Sequence, residues 1–223
     1  MTNDKQQQAS VSSQSGFTII ESLVAILVVS LLLAAIAPVI VLSVATRVQA
    51  KRIETATDAA KSYIDGVRSG TITAPPSPLT GTSDTALSSY AAPTAGSLTC
   101  GTGSGYCTAP ATNLYCFSVD GNNCTTTSTI NFVIQAFRYN KATTTTTSGY
   151  QLGIRVYRAD GFASDGGVLK TAPNKQNTFT AGLGDRKAPL VEMTTDIGKG
   201  VSFSDFCDRL KPTTTNPKSQ SKC

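Results

Sequence analysis

The chain has 223 residues, a formal charge of +5, no histidine and six cysteines. Charged residues are only 15% of it and the basic excess is scattered, so no Lys/Arg block marks a nucleic-acid face. Without histidine the commonest general base is missing, as are the mixed Cys/His zinc sites, and no catalytic constellation emerges; the chain does not read as an enzyme.

In chain order, residues 1–16 (MTNDKQQQASVSSQSG) are polar. From Ser22 to Thr46 there follow 25 residues without a charge. As a helix this run spans roughly 37 Å, enough for the ~30 Å hydrocarbon core of a bilayer. It is too long for the apolar core of a cleavable secretory signal and lacks the polar face of a soluble helix. Pro38 lies inside it and predicts a bend, because proline removes one backbone donor and clashes with the carbonyl of Ala34.

After Thr46 the pattern turns amphipathic. Val48, Ile53, Ala56, Ala60, Ile64 and Val67 recur at helical spacing, with Arg47, Lys51, Glu54, Asp58, Lys61 and Asp65 between them. Gly66, Gly70 and Pro75-Pro76 supply stop signals. The expected division is one helix over 17–69, with 17–46 as its membrane and assembly half and 47–69 as its amphipathic half. Residues 70–96, rich in Pro, Ser, Thr and Ala, read as a loop or linker.

The remainder, 97–223, reads as a β-rich domain. All six cysteines lie there: Cys100, Cys107, Cys116, Cys124, Cys207 and Cys223. None forms a C-x-x-C pair, and their even number among loop-forming residues favours disulfides and an oxidising compartment over free thiols. Six cysteines allow 15 connectivities; neighbouring pairs 100–107, 116–124 and 207–223 are the expectation. The glycine-rich stretch 101–105 lacks the Lys-Ser/Thr ending of a phosphate loop and reads as a loop closed by its flanking cysteines.

Strands are predicted over Leu114–Val119, Ile130–Tyr139 and Tyr150–Arg158. In the last, Leu152, Ile154 and Val156 alternate with Gln151, Arg155 and Tyr157, the mark of a half-buried strand. Asp160 and Asp165, each followed by glycine, are weak calcium candidates; turn chemistry explains the same pairs, and no other metal or cofactor is expected. A short helix carries Phe203, Phe206 and Leu210 behind Ser202 and Asp205, and a polar tail follows.

One residue sits oddly in this scheme. Glu21 stands at the mouth of the apolar run, where an ionised, unpaired side chain costs a few kcal/mol. No basic residue lies within a helical turn of it. Cleavage between Gly16 and Phe17 would create one, because the new α-amine lies four residues away on the same helix face.

The run Gly16-Phe17-Thr18-Ile19-Ile20-Glu21, followed by the long apolar helix with Pro38, resembles the N-terminus of type IV prepilins and pseudopilins. The resemblance covers about residues 15–67. It implies a leader over 1–16, removal of that leader by a prepilin peptidase after Gly16, and methylation of Phe17. It implies that Glu21 guides docking into a growing filament. It also implies an α+β pilin-like fold, a long helix packed on a small antiparallel sheet with disulfide-tied loops. The implied partners are other pilin or pseudopilin subunits, an inner-membrane assembly platform with its ATPase, and the membrane itself, with no nucleic acid. The chain is then a single-pass inner-membrane protein whose C-terminal domain lies outside the cytoplasm. Residues 38–70 and 150–162 further resemble a cyanobacterial pseudopilin associated with hormogonium polysaccharide secretion.

Two features depart from that pattern. The leader carries only Lys5 against Asp4, and Arg47, Lys51 and Arg52 follow the span, where the positive-inside rule alone would favour the cytoplasm. Cysteine usage and the processing motif argue for the opposite orientation. The alternative reading is a membrane-anchored extracytoplasmic domain that binds a glycan or protein, with Tyr90, Tyr106, Tyr115 and Tyr150 as contact residues.

Overall fold

The computed structural model describes residues 16, 18–76, 78–79, 89–140, 146–165, 167–177, 184–198 and 200–210. The chain divides into two units, residues 1–44 and 45–223, and helix α1 (Ile19–Ser69) contributes to both. The sequence placed the change two residues later, at 46/47.

In the first unit, residues 19–44 are helical and exposed throughout. Apolar side chains face outward on every side, among them Leu23 at 63% exposure and Leu33 at 63%. Nothing in water favours such a surface, since each of these side chains would gain about 1.5–3 kcal/mol on leaving it. Among the described residues this is the one helix long and apolar enough to cross a membrane.

In the second unit, residues 45–69 of α1 lie on a sheet. The buried face is Gln49, Ala56, Ala59, Ala60, Tyr63, Ile64 and Val67. The three alanines have no exposure at all and pack in one cluster with the apolar face of the sheet. Gly70, at φ 82°, ends the helix in a left-handed conformation that favours glycine. Its N–H reaches the Val67 carbonyl at 3.2 Å, and the Ile72 N–H returns to Gly66 at 2.9 Å.

Six strands follow in chain order as antiparallel neighbours: β2 (Thr99–Cys100), β3 (Gly105–Ala109), β4 (Leu114–Phe117), β5 (Phe132–Tyr139), β6 (Tyr150–Arg158) and β7 (Val191–Ile197). The two-residue β1 (Pro78–Leu79) pairs in parallel with the end of β5. This is the expected α+β layout, with one parallel strand added. Phe132, Ile134 and Ala136 of β5 and Tyr150, Leu152, Ile154 and Val156 of β6 meet the helix. Tyr63 of α1 reaches across to Tyr106 and Tyr115, with ring centroids 6.5 and 5.0 Å away. The Tyr106 hydroxyl donates to the Thr73 carbonyl at 2.9 Å, leaving the Tyr63 hydroxyl to donate to Tyr106 at 2.6 Å. Burial pushes the Tyr63 hydroxyl far above the usual tyrosine range and Tyr106 up to about 12, so both stay neutral hydrogen-bonding groups.

The other sheet face is covered too, which corrects the half-buried reading of β6. Arg155 is only 3% exposed and Tyr157 fully buried. Val133 and Tyr157 pack with Phe162, Leu169, Ala92 and Leu98. Arg155 tolerates burial because its charge is met on several sides. Its Nε pairs with Glu192 at 2.6 Å and its Nη1 donates to the Tyr90 carbonyl at 2.7 Å. Gln135 donates to the Ala91 carbonyl at 2.9 Å, and Tyr90 stacks on Phe137 with centroids 4.3 Å apart. The stretch expected as a plain linker is thus fastened to the sheet at residues 90–92. Gly153 makes room for this layer: a Cβ there would sit 2.3 Å from the Phe137 ring.

The helix α2 (Phe203–Leu210) starts as predicted. The Asp205 N–H donates to Ser202 Oγ at 3.2 Å and the Asp205 carboxylate accepts the Ser202 N–H at 2.9 Å, a reciprocal cap. Its aromatic residues do not reach the core. Phe203 is 78% and Phe206 52% exposed, while Cys207 is buried.

Because α1 meets the sheet through alanines, Ala60→Leu is expected to destabilise the second unit by about 1–3 kcal/mol through overpacking. Denaturant titration followed by tyrosine fluorescence measures this, and an unchanged midpoint would show slack in that contact.

Candidate functional site

The residues singled out for processing and assembly lie at the start of α1. Gly16 is exposed and outside the helix, with open space where a Cβ would stand. Phe17 falls outside the described residues. Thr18 caps the helix: its carbonyl accepts the first helical N–H, from Ser22, at 3.1 Å. Its Oγ1 accepts the Glu21 backbone N–H at 3.2 Å. Thr18-Ile19-Ile20-Glu21 therefore has the Thr-x-x-Glu spacing of a capping box, and Glu21 occupies the third helical position.

That placement explains much of how the acid is borne. The first turn of a helix leaves backbone N–H groups unpaired and carries a partial positive charge, which favours a carboxylate there. The cation expected beside Glu21 is therefore not its sole means of support. The signal was present, a Thr three residues before a Glu at the head of an apolar run.

Within the apolar stretch the hydroxyls of Ser22 and Ser30 fold back onto the carbonyls of Ile19 and Leu27, each at 2.8 Å. Neither needs an outside partner, so both are compatible with a hydrocarbon environment. Pro38 is inside α1, as expected.

Away from this segment, the cysteine pairing follows the neighbour rule. Cys100–Cys107 bridges β2 and β3 directly across their register, closing the glycine-rich loop, and Cys116–Cys124 closes the loop after β4. Cys207 is disulfide-bonded; the expected partner, Cys223, lies outside the described residues. Among the described residues no cysteine is free.

The two weak calcium candidates are both engaged by cations. Asp160 accepts from Arg158 Nε at 2.9 Å and forms a second contact with its Nη2. Asp165 pairs with Arg186 and, at 2.8 Å, with Lys187, whose ammonium also donates to the Gly161 and Ala163 carbonyls. Of the tyrosines suggested as ligand contacts, Tyr115 and Tyr150 are buried in the core. Tyr106 and Tyr90 are committed to the contacts described above. A different surface offers polar groups: a cleft of about 620 Å³ lined by Thr102, Asp120, Asn122, Asn123, Thr129 and Ile130, among others. Hydrogen bonds, chiefly from the Asn122 side chain, hold the Asp120 carboxyl down at about 2.

The chain matches the family model described as the prokaryotic N-terminal methylation motif over residues 11–37. The match contains Gly16, Phe17, Thr18 and Glu21, together with the first half of the apolar run. The chain thus carries the N-terminal segment of the type IV prepilins and pseudopilins. That motif implies processing by a prepilin peptidase and assembly with other pilins. No curated protein and no solved structure matches the chain.

Proposed function

We propose that this chain is a pilin-like structural subunit, a pseudopilin or minor pilin, of a type IV pilus or a type II secretion-like filament. The observation that carries the reading is the methylation motif at 11–37 at the head of a helix whose residues 19–44, almost all apolar, are exposed throughout. A peptidase removes residues 1–16, Phe17 becomes the methylated N-terminus, and the apolar helices leave the bilayer to stack in an open head-to-tail array. Glu21 pairs with the Phe17 amine of a neighbouring copy, which offsets its burial and sets register. An inner-membrane platform and its ATPase drive the assembly. The subunit is structural and draws on no cofactor. Its disulfides support placing the second unit outside the cytoplasm. Service in polysaccharide secretion is the particular role that the wider resemblance suggests.

The N-terminal mass of membrane-extracted protein tests this directly. The expected species begins at methylated Phe17, and Gly16→Glu is expected to keep its full leader. A wild-type chain beginning at Met1, Thr2 or beyond Ala45 contradicts the reading. It would favour the anchored binding domain instead, for which the polar cleft beside Asn122 and Asn123 is the natural contact surface.

A further inference from the structure

Leader removal requires the Gly16–Phe17 bond to enter a peptidase, and proteolysis favours exposed, irregular backbone. Phe17 falls outside the described residues, and helix α1 begins beyond it. Its first residue is Ile19; Gly16 and Thr18 lie outside it, and Gly16 is exposed with no neighbouring atoms at its Cβ position. The group that ends the helix there is the Thr18 hydroxyl, which satisfies the otherwise unpaired Glu21 N–H at 3.2 Å.

We propose that Thr18 is a specificity-determining positioning residue for leader removal: by capping α1 it keeps the scissile bond out of the helix. This rests on the processing reading above. Without the Thr18 hydroxyl, the next residue upstream able to cap is Ser15. A helix capped at Ser15 takes Gly16, Phe17 and Thr18 as its first three positions, and the scissile bond falls inside the first turn. Only the fraction of chains still open at Gly16–Phe17 then binds the peptidase, which raises KM and leaves kcat unchanged.

The test uses the purified full-length chain in detergent micelles with a purified prepilin peptidase. Thr18→Val keeps the branched shape and removes the acceptor. It is expected to raise KM by about fivefold at constant kcat, the scale on which cap residues bias a helix start. Amide exchange at residues 17–20 should slow in the same variant as the helix extends. Thr18→Ser and Thr18→Asn should both restore wild-type KM, since both side chains cap. Wild-type KM in Thr18→Val overturns the proposal. So does rescue by Ser without rescue by Asn, because the peptidase would then be reading the hydroxyl itself. A wild-type chain left uncut after Gly16 defeats the processing reading, and this proposal with it.

Discussion

Glu21→Ala is expected to be trimmed normally yet to appear in sheared filaments at a level reduced about tenfold or more. The acid stands at the head of a 25-residue uncharged run, where an ion costs a few kcal/mol unless it is paired. If that cost is offset by the amine of a neighbouring copy, removing the carboxylate removes the one directional contact between otherwise featureless apolar helices. The variant is clean for a structural reason. Thr18 receives the backbone N–H of residue 21 rather than its side chain, so alanine leaves that hydrogen bond in place. A loss of incorporation then reports on the carboxylate, not on a shifted helix start. Quantitative pull-down of filaments against the membrane pool measures it. Incorporation at the wild-type level would remove Glu21 from the assembly role while leaving the processing site untouched.

The second large effect concerns the domain beyond the helix. Arg155→Ala is expected to destabilise the second unit by about 3–5 kcal/mol, the cost typical of breaking a buried ion pair from one side. Glu192, 19% exposed in the intact pair, would lose its guanidinium, and the Tyr90 carbonyl would lose its 2.7 Å donor. The Phe137 ring would also lose the cation 5.1 Å from its centroid. In a unit of this size the midpoint of thermal unfolding should fall on the order of 10 °C. Replacing both members of the pair, as in Arg155→Met with Glu192→Met, should cost less than the single change, because no buried charge remains uncompensated. Calorimetry on the detergent-solubilised protein separates the cases. A double variant no more stable than Arg155→Ala would mean the arginine acts chiefly through the Tyr90 segment.

Much of the candidate site was legible in the order of residues. The apolar run, its length and its misplaced acid are one-dimensional properties, and so is the Gly-Phe-Thr-Ile-Ile-Glu motif. The helix observed over Ile19–Ser69 ends at the residue expected from the stop signals and starts two residues later than the expected 17. The central strands stood out because β-branched and aromatic residues alternate along them. β7 was missed although Val191, Met193, Thr195 and Ile197 alternate in the same way, because threonine and methionine blur the contrast. β2 and β3 are short and joined by a glycine-rich loop, so they carry little signal. The cap at Thr18 is legible as a Thr-x-x-Glu spacing, but the missing cation beside Glu21 is the more conspicuous signal.

What the residue order determined alone, then, is an uncharged run over 22–46 long enough to span a bilayer as a helix, with a methylation motif at its head. Those facts depend on runs and spacings, and neither needs a folded partner. Only the tertiary structure decided which faces of the sheet are covered. Gln135, Arg155 and Tyr157 look like a solvent face by alternation, yet they are buried under segments that lie elsewhere in the chain. A buried arginine is acceptable only where distant groups converge on it, and that convergence of Tyr90, Gln135 and Glu192 is a property of the fold rather than of any local stretch.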